Sequence, residues 1–94
     1  MRNYELTFIV HPDTDEEGLN AVVEGISRTI AANGGQVIKI DSWGKRRLAY
    51  PIRKCLEGHY MIMQLQLEPE AISELERNLK LAEEVIRYLI VRAD

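Results

Sequence analysis

The chain is predicted to fold as one α+β domain with element order β-α-β-β-α-β, and three observations carry that prediction. Two segments repeat apolar residues at helical spacing. The segments before, between and after them are rich in alternating apolar, β-branched or aromatic residues, as strands are. No repeat, linker or low-complexity stretch divides the 94 residues, so residues 1–94 form one domain with a single core.

The first strand is expected over Tyr4 to Val10. Leu6, Phe8 and Val10 point one way, Glu5, Thr7 and Ile9 the other, and His11-Pro12-Asp13 ends the run. Asp13 or Thr14 is then positioned to cap a helix whose first turn holds Asp15, Glu16 and Glu17. Carboxylates there meet the positive end of the helix dipole. Leu19, Val22, Val23, Ile26 and Ile30 form its apolar stripe, and Asn33-Gly34-Gly35 supplies the left-handed residues that stop it.

Alternation resumes at Gln36 to Asp41, and the second strand is expected to run on into a basic stretch, Ser42 to Lys54. Cys55-Leu56-Glu57-Gly58 reads as the loop at the hairpin tip. A third strand follows over His59 to Leu67, with Met61, Met63, Leu65 and Leu67 on one face and Tyr60, Ile62, Gln64 and Gln66 on the less buried one. Glu68-Pro69-Glu70 opens a second helix with Pro69 at its favoured first position, and Ile72, Leu75 and Leu79 mark its inner face.

The C-terminal segment admits two readings. Ala82, Ile86 and Leu89 would continue the helix, whereas Val85-Ile86-Arg87-Tyr88-Leu89-Ile90-Val91 is dense in β-branched and aromatic residues on both faces. The density favours a strand after a break near Ala82-Glu83-Glu84. The resulting order is the ferredoxin-like arrangement of two split βαβ units. Right-handed crossovers place both helices on one face of a four-stranded antiparallel sheet, with the first strand central and the second at an edge.

Net charge is −3, which argues against a generic polyanion binder with a basic excess spread over the domain. Cys55 is the single cysteine, so there is neither an intrachain disulfide nor a CxxC metal pair, and a reducing, cytoplasmic home is expected. No apolar run approaches the ~20 residues of a membrane span, and the start lacks a secretory apolar region. The sequence is therefore read as a soluble intracellular domain.

Enzyme readings fail on missing parts. No nucleophile has a His partner in local sequence, and no Gly-rich phosphate loop or dinucleotide fingerprint appears. Asp13, Asp15, Glu16 and Glu17 lack calcium-loop spacing and read as a capping turn. No catalytic residue, metal site or cofactor is expected. Strand three reads Gly58-His59-Tyr60-Met61-Ile62-Met63, which is not the aromatic motif of an RNA-recognition domain.

What remains is the basic stretch. Five of the thirteen residues from Ser42 to Lys54 are Lys or Arg, beside the lone Trp. A solvated edge that discourages strand pairing explains Lys45 and Arg47 well enough. The clustering of Lys45, Arg46, Arg47, Arg53 and Lys54 around one hairpin favours a surface that meets phosphates or another protein. Trp43 can anchor such a contact, and Arg2, Arg87 and Arg92 can extend it.

Met1-Arg2-Asn3-Tyr4-Glu5, the segment Trp43-Gly44-Lys45-Arg46-Arg47-Leu48-Ala49-Tyr50-Pro51-Ile52 and Gly58-His59-Tyr60 together resemble the bacterial small-ribosomal-subunit protein six family. The resemblance covers essentially the whole chain, and Leu-Ala-Tyr-Pro-Ile is its distinctive core. It implies a ferredoxin-like fold and a structural place on the central domain of 16S ribosomal RNA. It also implies a heterodimer with small-subunit protein eighteen, formed before or during RNA binding. By carry-over, Arg2, Tyr4 and the basic residues from Lys45 to Lys54 serve that shared surface. Many family members carry a flexible C-terminal tail, whereas this sequence ends at Asp94, just past the last strand. The expectation is a non-catalytic ribosomal RNA-binding protein with no membrane or small-molecule partner. A ferredoxin-like small-molecule-sensing regulatory domain forming homodimers is the alternative. A small phosphatase-like enzyme comes third, disfavoured because the acidic loop after strand one would repel phosphate.

Overall fold

Strand β1 (Arg2–Val10) runs through the middle of the sheet in the computed structural model, which describes residues 1–94. It is flanked by β3 (Cys55–Leu67) and β4 (Val85–Arg92), and β2 (Gln36–Ile52) lies outside β3, giving the order β2-β3-β1-β4 with every pair antiparallel. Helices α1 (Glu16–Ala32) and α2 (Ile72–Leu81) cover one face. The strand expected at the C-terminus is present, and the sheet order and helix placement are those of the ferredoxin-like α+β class.

Register explains the core. Leu6 lies opposite both Met63 and Ile90, and Phe8 opposite Met61 and Tyr88. These side chains therefore form rows across three strands under Val22, Ile26, Ile30, Leu75 and Leu79 of the helices. Burying each such side chain contributes about 1.5–3 kcal/mol. Leu19, Val23 and Ile72 sit at the rim of this core, half-buried.

Three boundaries differ from the sequence reading. The N-cap of α1 is Asp15, whose Oδ1 accepts from the Gly18 N–H at 2.8 Å. Asp13 and Thr14 lie in the turn before the helix, where the Thr14 N–H donates to the His11 carbonyl, one or two residues short of the N-cap position. Pro69 opens a single 3-10 turn, Pro69–Ala71, before α2 begins. Strand β3 starts at Cys55, and the hairpin turn is Arg53-Lys54, not Cys55 to Gly58: Ile52 pairs with Cys55, leaving two residues between the strands. Gly58 marks a close approach instead of a turn, since a Cβ there would lie 2.4 Å from Ile9 Cγ2 on β1.

The end of α1 is as expected. Gly34 takes φ 78°, and the Gly34 and Gly35 N–H groups donate to the Ala31 and Ile30 carbonyls, closing a Schellman motif.

Strand β2 is irregular along its distal half. Its register against β3 shifts at Gly44, where φ is 76°, and again between Arg47 and Ile52. The second shift leaves Leu48, Ala49, Tyr50 and Pro51 without partners on β3. Pro51 has no N–H to give, so an edge-strand bulge is where it is tolerated. This segment folds over the sheet face that the helices leave open. Leu48 is buried there with Ile9, Cys55 and Ile86 in a second, smaller apolar cluster.

Candidate nucleic-acid interface

The bulge decides where the basic side chains go. Leu48 is the inward pin, so its neighbours Lys45, Arg46 and Arg47 are turned outward and exposed. Arg53 and Lys54 project from the turn, also exposed. Arg87 on β4 comes to the same end of the molecule, because Arg87 pairs with Ile9 near the C-terminal end of β1. There the Tyr50 hydroxyl accepts a hydrogen bond from Arg87 Nη1, and the guanidinium lies 5.6 Å from the Tyr50 ring centre. A cation above a ring gains attraction from the ring quadrupole without losing its charge.

Trp43 is half exposed, with Arg46 over its ring at 5.8 Å. Arg46 Nε also donates to the Trp43 carbonyl at 3.0 Å, which orients the guanidinium. Arg53 Nη1 donates to the Glu83 carbonyl at 3.5 Å. Of the hairpin cations only Lys45 meets a carboxylate, Glu57, at the outer limit of 4.0 Å. Arg46, Arg47, Arg53, Lys54 and Arg87 have no acidic partner, so their charge is offered to solvent. An exposed pair such as Lys45–Glu57 is worth little and gives way readily to a stronger anion.

Three residues expected at this surface lie elsewhere. Tyr4 is buried in the main core, 9% exposed, where its ring packs beneath the helices. It belongs to the fold and not to the surface. Arg2 pairs with Leu67 at the opposite end of β1 from the hairpin turn. Nine residues of strand, roughly 30 Å at ~3.3 Å each, separate it from the hairpin cluster. Arg92 shares the Arg2 end and is engaged by Asp94 at 3.3 Å. The Asp94 carboxyl is held below its usual range, first by the Asn3 N–H and then by Arg92. The cationic surface thus has a main patch at the hairpin and an outlying charge at Arg2.

An acidic chain shows such a face because its charges are sorted by layer. Eleven of the fifteen carboxylates fall in residues 13–35 and 68–84, the helices and their flanks, while nine of the twelve cations lie on strands or the hairpin turn. Net charge hides this separation. The residues missed by the sequence reading are apolar ones, Leu48 and Ile9, and Lys80 beside Arg53 and Arg87. The one available signal was Leu48 and Ile52 standing inside a cationic run, an apolar pair with no reason to be there unless the strand is pinned.

A shallow apolar groove lies between the bulge and the open sheet face, lined by Thr7, Ile9, Leu48, Tyr50, Tyr60 and Leu89. No group of His, Cys, Asp and Glu residues is placed to hold a metal ion, and no helix is long and apolar enough to cross a membrane.

Residues 3–92 match the sequence pattern of the family described as ribosomal protein S6. The small ribosomal subunit protein bS6 of Moorella thermoacetica is 47% identical over 94 residues, covering 100% of this chain and 96% of that protein. That of Desulforamulus reducens is 44% identical over 92 residues, covering 98% and 97%. The crystal structure of 30S ribosomal protein S6 from Thermotoga maritima superposes with a TM-score of 0.92 at 31% identity, covering 98% of this chain and 87% of that one. The C-terminal domain of the MgtC protein from Mycobacterium tuberculosis has a TM-score of 0.66 at 14% identity, a likeness of fold alone.

Proposed function

The chain belongs to the ribosomal protein S6 family, a family of non-catalytic constituents of the small ribosomal subunit, and from that premise we propose that it binds the central domain of 16S ribosomal RNA together with small-subunit protein eighteen. The observation that supports this most is the hairpin patch: Arg46, Arg47, Arg53, Lys54 and Arg87 are exposed, gathered at one end of the sheet, and in no ion pair with a carboxylate. Guanidinium forks match phosphate oxygens in pairs, and Lys adds mobile point charge. Trp43, Lys45 and the outlying Arg2 complete the contact surface.

The patch is small and the chain is net negative, so isolated affinity for RNA is weak. Protein eighteen supplies further positive charge and a second surface, and the edge strand β2 with its folded bulge is the element it meets. Leu89 and Tyr50 are both more than half exposed beside the apolar groove, which gives a protein partner something to bury. The test is titration of a central-domain 16S fragment at one fixed salt concentration, with and without protein eighteen. Tighter binding with the partner is expected, and equal affinity in both arms would contradict the proposal.

A further inference from the structure

The turn of the β2–β3 hairpin is built from the wrong residues for its shape. A two-residue hairpin turn with positive φ at both positions is of type I′, which favours Asn-Gly or Asp-Gly. Here the positions are Arg53 and Lys54, at φ 49° and 65°. Side chains with a Cβ and long stems are disfavoured in left-handed backbone, and nothing in their chemistry relieves it. Yet the turn is held in place. Ile52 pairs with Cys55 beneath it, the Cys55 thiol donates to the Arg53 carbonyl at 3.7 Å, and Arg53 reaches the Glu83 carbonyl beyond α2.

That placement makes a cleft. Arg53, Lys80 at the end of α2 and Arg87 on β4 line one concavity, floored by Leu79, Val85, Ile86 and Tyr88, with no carboxylate in it. Arg87 is fixed by Tyr50 and Arg53 by the Glu83 carbonyl, so two of the three cations are positioned before any ligand arrives. A cleft on the other side of the turn is lined by Arg47, Arg53 and Lys54 but also by Asp13 and Glu57, and its two carboxylates make it the less favourable of the two for an anion.

We infer that the strained turn exists to complete a phosphate-binding cleft of Arg53, Lys80 and Arg87, which takes neighbouring backbone phosphates of the RNA that this chain binds. The inference rests on the RNA-binding reading above and adds to it a site, a ligand group and one residue, Lys80. It also accounts for the strain, because Asn-Gly would satisfy the backbone and leave the cleft with two cations.

Two variants of the full chain test it, assembled with protein eighteen and titrated against the 16S central-domain fragment over a range of salt. Lys80→Gln lies outside the hairpin and should make the plot of log affinity against log salt shallower by about 1 unit. The double change Arg53→Asn with Lys54→Gly should make it shallower by about 2 units and raise the melting temperature of the isolated chain by about 4 °C or more. An unchanged slope for Lys80→Gln overturns the cleft. A melting temperature that fails to rise overturns the claim that the turn is strained for function. If instead the wild-type heterodimer shows no salt-dependent affinity for the fragment, the RNA-binding reading fails at its root.

Discussion

Arg87 and Tyr50 touch across the whole open face of the sheet, although they belong to the two opposite edge strands. Three strand spacings, roughly 14 Å, separate those edges in a flat sheet. The contact exists because the Leu48–Pro51 bulge folds inward and carries Tyr50 over β3 and β1. The pair therefore reports directly on whether the distal hairpin is closed, and Leu48 is what closes it.

Leu48→Ala should accordingly cost roughly 2–4 kcal/mol of stability in urea unfolding, a core-like loss from within a strand that reads as basic surface. Tyr50→Ala should cost less but increase amide hydrogen exchange in the segment from Lys45 to Ile52. Leu48→Ala without measurable loss would mean that the bulge is not anchored to the sheet.

Replacing Arg46 and Arg47 together by Ala should leave stability within about 1 kcal/mol per residue, because both are exposed and neither has a carboxylate partner. Binding of the heterodimer to the 16S fragment should weaken several-fold. Ile26→Ala, at a site 4% exposed, provides the opposite control: roughly 2–5 kcal/mol lost, with RNA affinity of the folded fraction retained. Thermal melts and one binding isotherm per variant decide between these outcomes.

Arg2 and Lys54 lie at opposite ends of the sheet, so their effects on RNA binding should add. Each Ala substitution is expected to reduce the salt slope by ~1 unit, and the pair by ~2 units. Preference among RNA sequences of the same folded shape should not change. A variant that keeps its slope and shifts base preference would show that its side chain reads bases instead of phosphates.

Two glycines should respond in opposite directions to Ala. Gly25 is exposed on α1 with no atom within 4 Å of a new Cβ, so Gly25→Ala should stabilise by about 0.5–1 kcal/mol. Gly58→Ala forces a methyl to 2.4 Å from Ile9 Cγ2 and 3.1 Å from the Val10 carbonyl, both on the central strand. It should destabilise by roughly 1–3 kcal/mol. Circular dichroism melts of the two single variants are sufficient to check this.

The framework was legible in the sequence because its signals are local. The α1 stripe, the alternation of Met61 to Leu67 and the β-branched density after Val85 each specify an element without reference to the rest of the chain. The true hairpin turn was not legible, because Arg-Lys carries no turn preference and Gly58 mimicked one. Its glycine is required by Ile9, a residue nearly fifty positions away whose crossing only the sheet register creates. Tyr4 was assigned to the surface by the family resemblance alone, while its parity with Leu6 and Phe8 puts the ring in the core. Arg87 lies beside Tyr50 at the hairpin end of the sheet, whereas Lys80 needed the tertiary fold to bring the end of α2 beside the turn.

The sorting of carboxylates to the helical layer and cations to the strands and hairpin turn gives the molecule a permanent electric moment whose positive side carries the hairpin. Approaching a polyanion, such a particle feels a torque before it feels a net pull. Its overall charge has the same sign as RNA, so the monopole slows encounter while the moment selects those encounters in which the hairpin leads. Added salt screens both, yet the monopole acts at longer range and is lost first. Association rates should therefore pass through a maximum at moderate ionic strength, a kinetic signature that a uniformly basic binder would not have.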